Sequence, residues 1–214
     1  MGLLCSLLLG TAQVHGAITL ANINVDVPGP VGIGYQPGSP DYLVLSVNYA
    51  SGWPNNFARL SQSGLLTPFS PAAGFLDEIH LCTVRAAFAG FQAGDVFSSN
   101  GEPGTVARIS ADGTEQRDWC VLRTANYAEP GIVWGLCLDE TPTHVFGGDL
   151  IATTEAGGVW RVNSSGVPTF VCRVVNAAMV PLPLESCVVV PNDSLKYGSA
   201  WAGKTLAGVA AHEN

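Results

Sequence analysis

The most constraining feature of this sequence is that it repeats itself. Asp41, Asp95 and Asp149 recur at an interval of 54 residues, each just before an apolar run: Leu43 to Leu45, Val96 with Phe97, and Leu150 with Ile151. Downstream of each, Arg59, Arg108 and Arg161 occupy one equivalent place. An apolar residue follows each Arg, then Ser or Asn, and Gly five residues on at Gly64, Gly113 and Gly166. A fourth copy begins at Gly203 and runs through Thr205, Leu206 and Val209. Self-similarity at a fixed period of this size marks an architecture built from one supersecondary unit stacked on itself.

Each unit reads as strands. Ser63-Gly64, Asp112-Gly113 and Ser165-Gly166 are hairpin signals between β-prone runs. A further apolar run precedes each shared position: Val31 to Tyr35, Ile79 to Val84, Val133 to Leu138, and Cys187 to Val190. No segment sustains apolar spacing at i, i+3, i+4 and i+7, so helices should be scarce. The 25 Gly and 14 Pro suit many turns. Four antiparallel strands in a unit of about 54 residues predict an all-β fold, a β-propeller. Three blades are complete and a fourth is half present, so the predicted propeller is incomplete, with about three and a half blades. The repeated Arg reads as a strand residue bonding carbonyls of an adjacent blade. The repeated Asp reads as a turn former.

Charge narrows the partners. Charged residues are only 12% of the chain and the net charge is -8, with two lysines in total. That balance argues against nucleic acid and against an anionic membrane surface. Residues 3–10 form an apolar run of signal-peptide length, with a plausible cleavage before Ala17. The run is too short for a membrane span, which needs about 20 residues. The expected layout is a signal peptide over 1–16 and a partial propeller over 17–214, secreted or periplasmic.

Of six cysteines, Cys5 would leave with the signal, and Cys82, Cys120, Cys137, Cys172 and Cys187 remain. None forms a C-x-x-C pair. They read as small buried apolar residues, with one or two disulfides as the alternative and Cys120 with Cys172 the first pair to test.

Propeller ligands bind at a channel mouth, built from the approach to each innermost strand and the turn after each second strand. In register, the first set gives Asp77, Glu78, His80, Trp134 and Glu185. The second gives Asn48, Asn100 with Glu102, Glu155 and the terminal His212-Glu213-Asn214. Glu78 and Glu185 are equivalent, each three residues before an apolar strand residue. Two carboxylates and several amide oxygens on one axis are a donor set for a hard cation such as calcium. Trp53 sits in a loop, Asn48 to Asn56, longer than its counterparts, and suits a flat ligand or a sugar. The predicted ligand-binding residues are therefore Asn48, Trp53, His80, Asn100 and Glu155, with Glu78 and Glu185 for a metal. His144 lies in a loop with no assigned role, and the pair Asp139-Glu140 reads as solvated. No G-x-S-x-G, H-E-x-x-H, P-loop or G-x-G-x-x-G occurs.

The Glu78-x-x-Leu81 element, the Gly94-Asp95-Val96 and Gly148-Asp149-Leu150 openings and the Arg-led hairpins resemble the six-bladed gluconolactonase and senescence-marker-like propellers. The resemblance covers roughly residues 28–214. It implies a hydrolase with a divalent metal in the channel, and carries over Glu78 as a metal ligand. In this chain Ile79-His80-Leu81 follows Glu78, where that family has Gly-Pro. NHL-type propellers, mostly interaction modules, resemble the blades nearly as well. The expected function is a secreted, non-enzymatic binding or interaction module that meets a small molecule, carbohydrate or protein at the channel mouth. A metal-dependent hydrolase of lactones or esters is the alternative.

Overall fold

The apolar runs flanked by Gly and Pro become strands of three four-stranded antiparallel sheets and one two-stranded sheet. The structure is a computed structural model and describes residues 27, 29–47, 54–76 and 79–210. Blade one holds β1 (Pro30–Gln36), β2 (Tyr42–Val47), β3 (Phe57–Ser61) and β4 (Leu66–Pro68). Blade two holds β5 (Leu81–Thr83), β6 (Val96–Ser99), β7 (Thr105–Ile109) and β8 (Glu115–Val121). Blade three holds β9 (Val133–Leu138), β10 (Leu150–Thr154), β11 (Gly158–Val162) and β12 (Pro168–Arg173). In each, the strands lie side by side in chain order. The last sheet pairs β13 (Leu184–Val189) with β14 (Thr205–Val209). This is an all-β, incomplete β-propeller. Among the described residues the single α-helix is the short α1 (Ser194–Tyr197), whose first amides at Leu195 and Lys196 both bond the Asp193 side chain at 3.1 Å.

Why the second strands are not alternating in sequence is clear from burial. Every residue of β6 and of β10 is buried, because each of these strands is covered on both faces. A strand in that position needs small or apolar residues throughout rather than every second residue. The outermost β8 and β12 are mostly exposed. Successive side chains of a strand point to opposite faces, and here they feed two different cores. Val96 and Ala107 pack with Val44, Phe57 and Phe75 between blades one and two. Phe97 and Val106 pack with Leu150 and Trp160 between blades two and three. A one-residue slip in β6 or β7 would exchange the two cores, so the register is fixed by packing.

Polar seams join the blades. Gln36 Nε2 donates to the Gly94 carbonyl at 2.6 Å, Ser46 Oγ to that of Ile79 at 2.5 Å, and Thr83 Oγ1 to that of Tyr35 at 2.6 Å. The innermost strands also approach closely. A Cβ at Gly135 would stand 2.9 Å from the Cα of Ser186, so β9 and β13 come together only because that residue lacks a side chain.

The repeated Arg and Asp act differently from the sequence expectation in two blades out of three. Arg59 does bond an adjacent blade, donating to the Ala111 carbonyl at 2.5 Å, and Asp41 does accept from the Gly38 amide at 3.0 Å. In blades two and three the repeated pair bond each other. Arg108 grips Asp95 Oδ2 through Nε at 2.9 Å and Nη2 at 2.7 Å, and Arg161 grips Asp149 with the same two distances. The antiparallel ladder sets Arg108 opposite Phe97 and Arg161 opposite Ile151, each two residues past its Asp, and the guanidinium spans that offset. In blade one Gln36 takes the acceptor role at 2.7 Å from Arg59 Nε.

Candidate functional site

The innermost strands β1, β5 and β9 line a cavity of about 270 Å³, whose walls include Ile33, Leu81, Cys82, Cys137 and Leu138. Arg85 and Glu140 stand at its rim and are shared with a second cavity of about 320 Å³ walled by Phe88 and His144. Arg85 follows β5 and Glu140 follows β9, so both cavities open at the end where innermost strands hand over to second strands.

Asp139 builds this end. It is fully buried. Its carboxylate accepts from Thr141 Oγ1 at 2.6 Å, the Phe146 amide at 2.6 Å and the Gly148 amide at 3.2 Å. Three donors satisfy a group whose burial would otherwise be costly. The sequence reading of Asp139-Glu140 as a solvated pair is therefore wrong for both residues. Glu140 accepts from Arg85 twice through the guanidinium, Nε at 2.6 Å and Nη2, and from the Arg85 amide at 3.2 Å. The Arg85 side chain remains 66% exposed. A guanidinium carries five N–H donors in a fixed fork, so the Glu140 contact leaves donors facing the cavity mouth.

His144 lies on the same loop at φ 44, in the left-handed region. Its ring stacks on Phe88 with centroids 5.8 Å apart and planes 6° apart. Nδ1 sits 3.1 Å from the Asp139 carbonyl. A carbonyl only accepts, so Nδ1 carries a proton and donates it there, which fixes the orientation of the ring. The site thus combines a flat aromatic pair and an exposed cationic fork.

Of the residues named from sequence, the described ones lie at the opposite end or elsewhere. Asn48, Trp53 and Glu78 fall outside the described residues, as do His212, Glu213 and Asn214. His80 precedes β5, and its carbonyl accepts from the Ser99 amide at 3.4 Å. Asn100 is buried, with Nδ2 donating to the Arg117 carbonyl at 3.2 Å and Oδ1 accepting from the Glu102 amide at 3.0 Å. These bonds hold the turn into β7. Glu155 is exposed in the turn between β10 and β11, and Glu185 is exposed within β13. Sequence alignment of the units does bring His80 and Asn100 to one end of blade two. It did not find Arg85, Glu140 or His144, because none of the three repeats between units.

One further buried feature was missed. Glu129 is buried and accepts from Trp160 Nε1 at 2.8 Å, the Tyr127 hydroxyl at 3.1 Å and the Gly131 amide at 3.2 Å. It fastens the segment between β8 and β9 to the core Trp of blade three. The reading of the five cysteines as buried filler holds for Cys120 alone. Cys82, Cys137 and Cys187 are half-buried and Cys172 is exposed. Burial pushes the Cys120 thiol up to about 12. Among the described residues no three His, Cys, Asp or Glu side chains converge to hold a metal ion, and no helix is long and apolar enough to cross a membrane.

No family model and no curated protein matches this chain. Solved structures do match. A streptogramin B lyase superposes with a TM-score of 0.51 at 13% identity, over 78% of this chain and 48% of the other. The extracellular domain of a hybrid two-component system from B. thetaiotaomicron superposes with a TM-score of 0.52 at 16% identity, over 85% of this chain and 20% of the other. Both are β-propellers. The chain spans about half the length of the first and a fifth of the second. At these identities the likeness is one of fold.

Proposed function

We propose that this propeller is a non-enzymatic binding module of an exported protein, and that its ligand is a small planar molecule carrying a carboxylate. The observation behind it is the shared rim of the two cavities, where the Arg85–Glu140 fork faces the Phe88–His144 stack. Ligand sites are concave and mostly apolar, with a few placed polar groups that fix orientation. A ring laid on His144 gains stacking area. A carboxylate reaching Arg85 gains charge-assisted bonds from donors that Glu140 does not use. The exported location rests on the signal-like residues 3–16. In function this sides with the interaction propellers of the NHL type.

The test is a titration followed by NMR chemical shifts and thermal melts, with benzoate-like acids and their neutral amides as probes. The acids should shift Phe88 and His144 resonances, and the amides should bind at least tenfold more weakly. Arg85→Ala and His144→Ala should each weaken the acids. Binding of the acids undiminished in both variants refutes this site.

The lactone or ester hydrolase is the second reading, supported by Glu185, whose exposed carboxylate stands on an innermost strand. The described residues do not assemble a cation site around it. Thermal melts with chelator and with calcium decide it. A bound ion at a hundredfold excess over its dissociation constant adds about 2.7 kcal/mol, so identical melts dismiss the metal. If calcium stabilises, Glu78→Gln and Glu185→Gln should each remove the gain.

A further inference from the structure

The innermost strands carry a thiol pair that the function proposed above does not use. Gly34, Cys82 and Cys137 occupy one register of β1, β5 and β9. Each faces the second-strand residue that in turn faces the repeated Arg: Val44, Phe97 and Ile151. Cys137 meets the next blade. Cys187 of β13 donates its S–H to Cys137 Sγ at 3.1 Å and has the Ile151 carbonyl at 3.8 Å. The two sulfurs stand within about 1 Å of the covalent S–S length of about 2.05 Å. The backbones are already close here, since a Cβ at Gly135, two residues before Cys137, would stand 2.9 Å from the Cα of Ser186, next to Cys187. Both thiols are half-buried, so an oxidant can reach them.

We propose that Cys137 and Cys187 are a redox-active dithiol that closes to a disulfide and staples the half blade β13–β14 to blade three. The oxidant is a small-molecule disulfide of the glutathione type. The Cys187 thiolate attacks one sulfur of the oxidant, forming a mixed disulfide and releasing one thiolate. The Cys137 thiolate then attacks Cys187 Sγ and releases the second. Two protein thiols lose two protons and two electrons, and one small disulfide becomes two small thiols. The staple closes a loop over 50 residues that contains the rest of blade three, and in the loop-entropy account long loops gain most. The hydrogen bond from Cys187, together with burial, holds the Cys137 thiol far above the ordinary thiol range. The thiolate is the reacting form, so closure speeds up as pH rises.

The experiment uses the full chain. Reduced protein is incubated with oxidised glutathione at mildly alkaline pH, quenched with acid, alkylated under denaturing conditions and analysed by intact mass and peptide mapping. The expected product has lost two hydrogen atoms and contains a Cys137–Cys187 cross-linked peptide, with Cys82, Cys120 and Cys172 alkylated. Its melting temperature should exceed that of the reduced protein by about 10 °C. Cys187→Ser and Cys137→Ser should lose both the cross-link and the oxidation-dependent shift, while Cys172→Ser keeps them. Retention of every thiol in the parent protein, or a cross-link that joins Cys82, Cys120 or Cys172 instead, overturns the proposal.

Discussion

Replacing Glu129 by Ala removes the acceptor at the centre of blade three's inner wall. Two donors are then left without a partner in buried surroundings, the Trp160 indole N–H and the Gly131 amide, and the Tyr127 hydroxyl loses its bond at a half-buried position. An unpaired buried donor costs about 1–3 kcal/mol. Two of them amount to about 2–6 kcal/mol. Removing a buried carboxylate returns part of that, because its desolvation no longer opposes folding. We expect a net loss of about 3 kcal/mol, a large fraction of the roughly 5–15 kcal/mol that holds a domain folded. In a domain of this size that is a fall of about 6–12 °C in Tm.

Urea unfolding followed by tryptophan fluorescence measures it, with Trp160 as a reporter. Glu129→Gln keeps one acceptor oxygen but turns an NH2 toward an existing donor, and should lose about 1–2 kcal/mol. A double-mutant cycle with Trp160→Phe isolates the pair. In the Glu129→Ala background the Phe substitution should cost less than in the parent, by at least about 1 kcal/mol. A Glu129→Ala variant within about 0.5 kcal/mol of the parent, the range of ordinary surface changes, would refute the account of Glu129 as a buried hub.

Other consequences follow from neighbouring features. The Cβ of Gly158→Ala would collide with the Glu129 carboxylate and crowd Thr154 Oγ1, so this small change should destabilise by about 1–3 kcal/mol in the same unfolding assay. Burial raises the Asp95 carboxyl above its ordinary value, against the pull of Arg108. Between the ordinary and the raised values the folded state binds more protons than the unfolded one, so Asp95's contribution to stability grows as pH falls through that window. The parent should gain on Asp95→Asn there, and unfolding curves that show it losing ground would reverse the sign. Exposed Asp112, which accepts from the Thr114 amide at 2.9 Å, titrates lower than an ordinary carboxyl. Its stabilisation should be present above that ordinary value and fade as pH falls through the lowered one, read by carboxyl NMR. Among the described residues β14 is paired on one side only, and Val209 within it and Val188 of β13 are exposed. Such an edge invites association, so light scattering at tens of micromolar should show self-association, reduced by Val209→Lys.

The sequence by itself determined the architecture. A 54-residue interval, hairpin signals ending in Gly64, Gly113 and Gly166, and apolar runs too short for helices are local properties. Strand propensity and turn chemistry act over a few residues, so repeating them repeats the blade. The partner of each repeated side chain was another matter. Arg108 and Arg161 turned to Asp95 and Asp149 in their own blades, while Arg59 reached Ala111 in the next, because blade one offers Gln36 where the others offer Asp. The site was decided by tertiary structure almost entirely. Arg85 and Glu140 lie 55 residues apart and belong to different blades, and Cys137 and Cys187 lie 50 apart on different strands. Aligning units exposes what recurs, and these pairs do not recur. They meet because the innermost strands of successive blades converge, to the point that a Cβ at Gly135 would strike Ser186. That convergence is a property of stacked sheets, and no single unit of the sequence contains it.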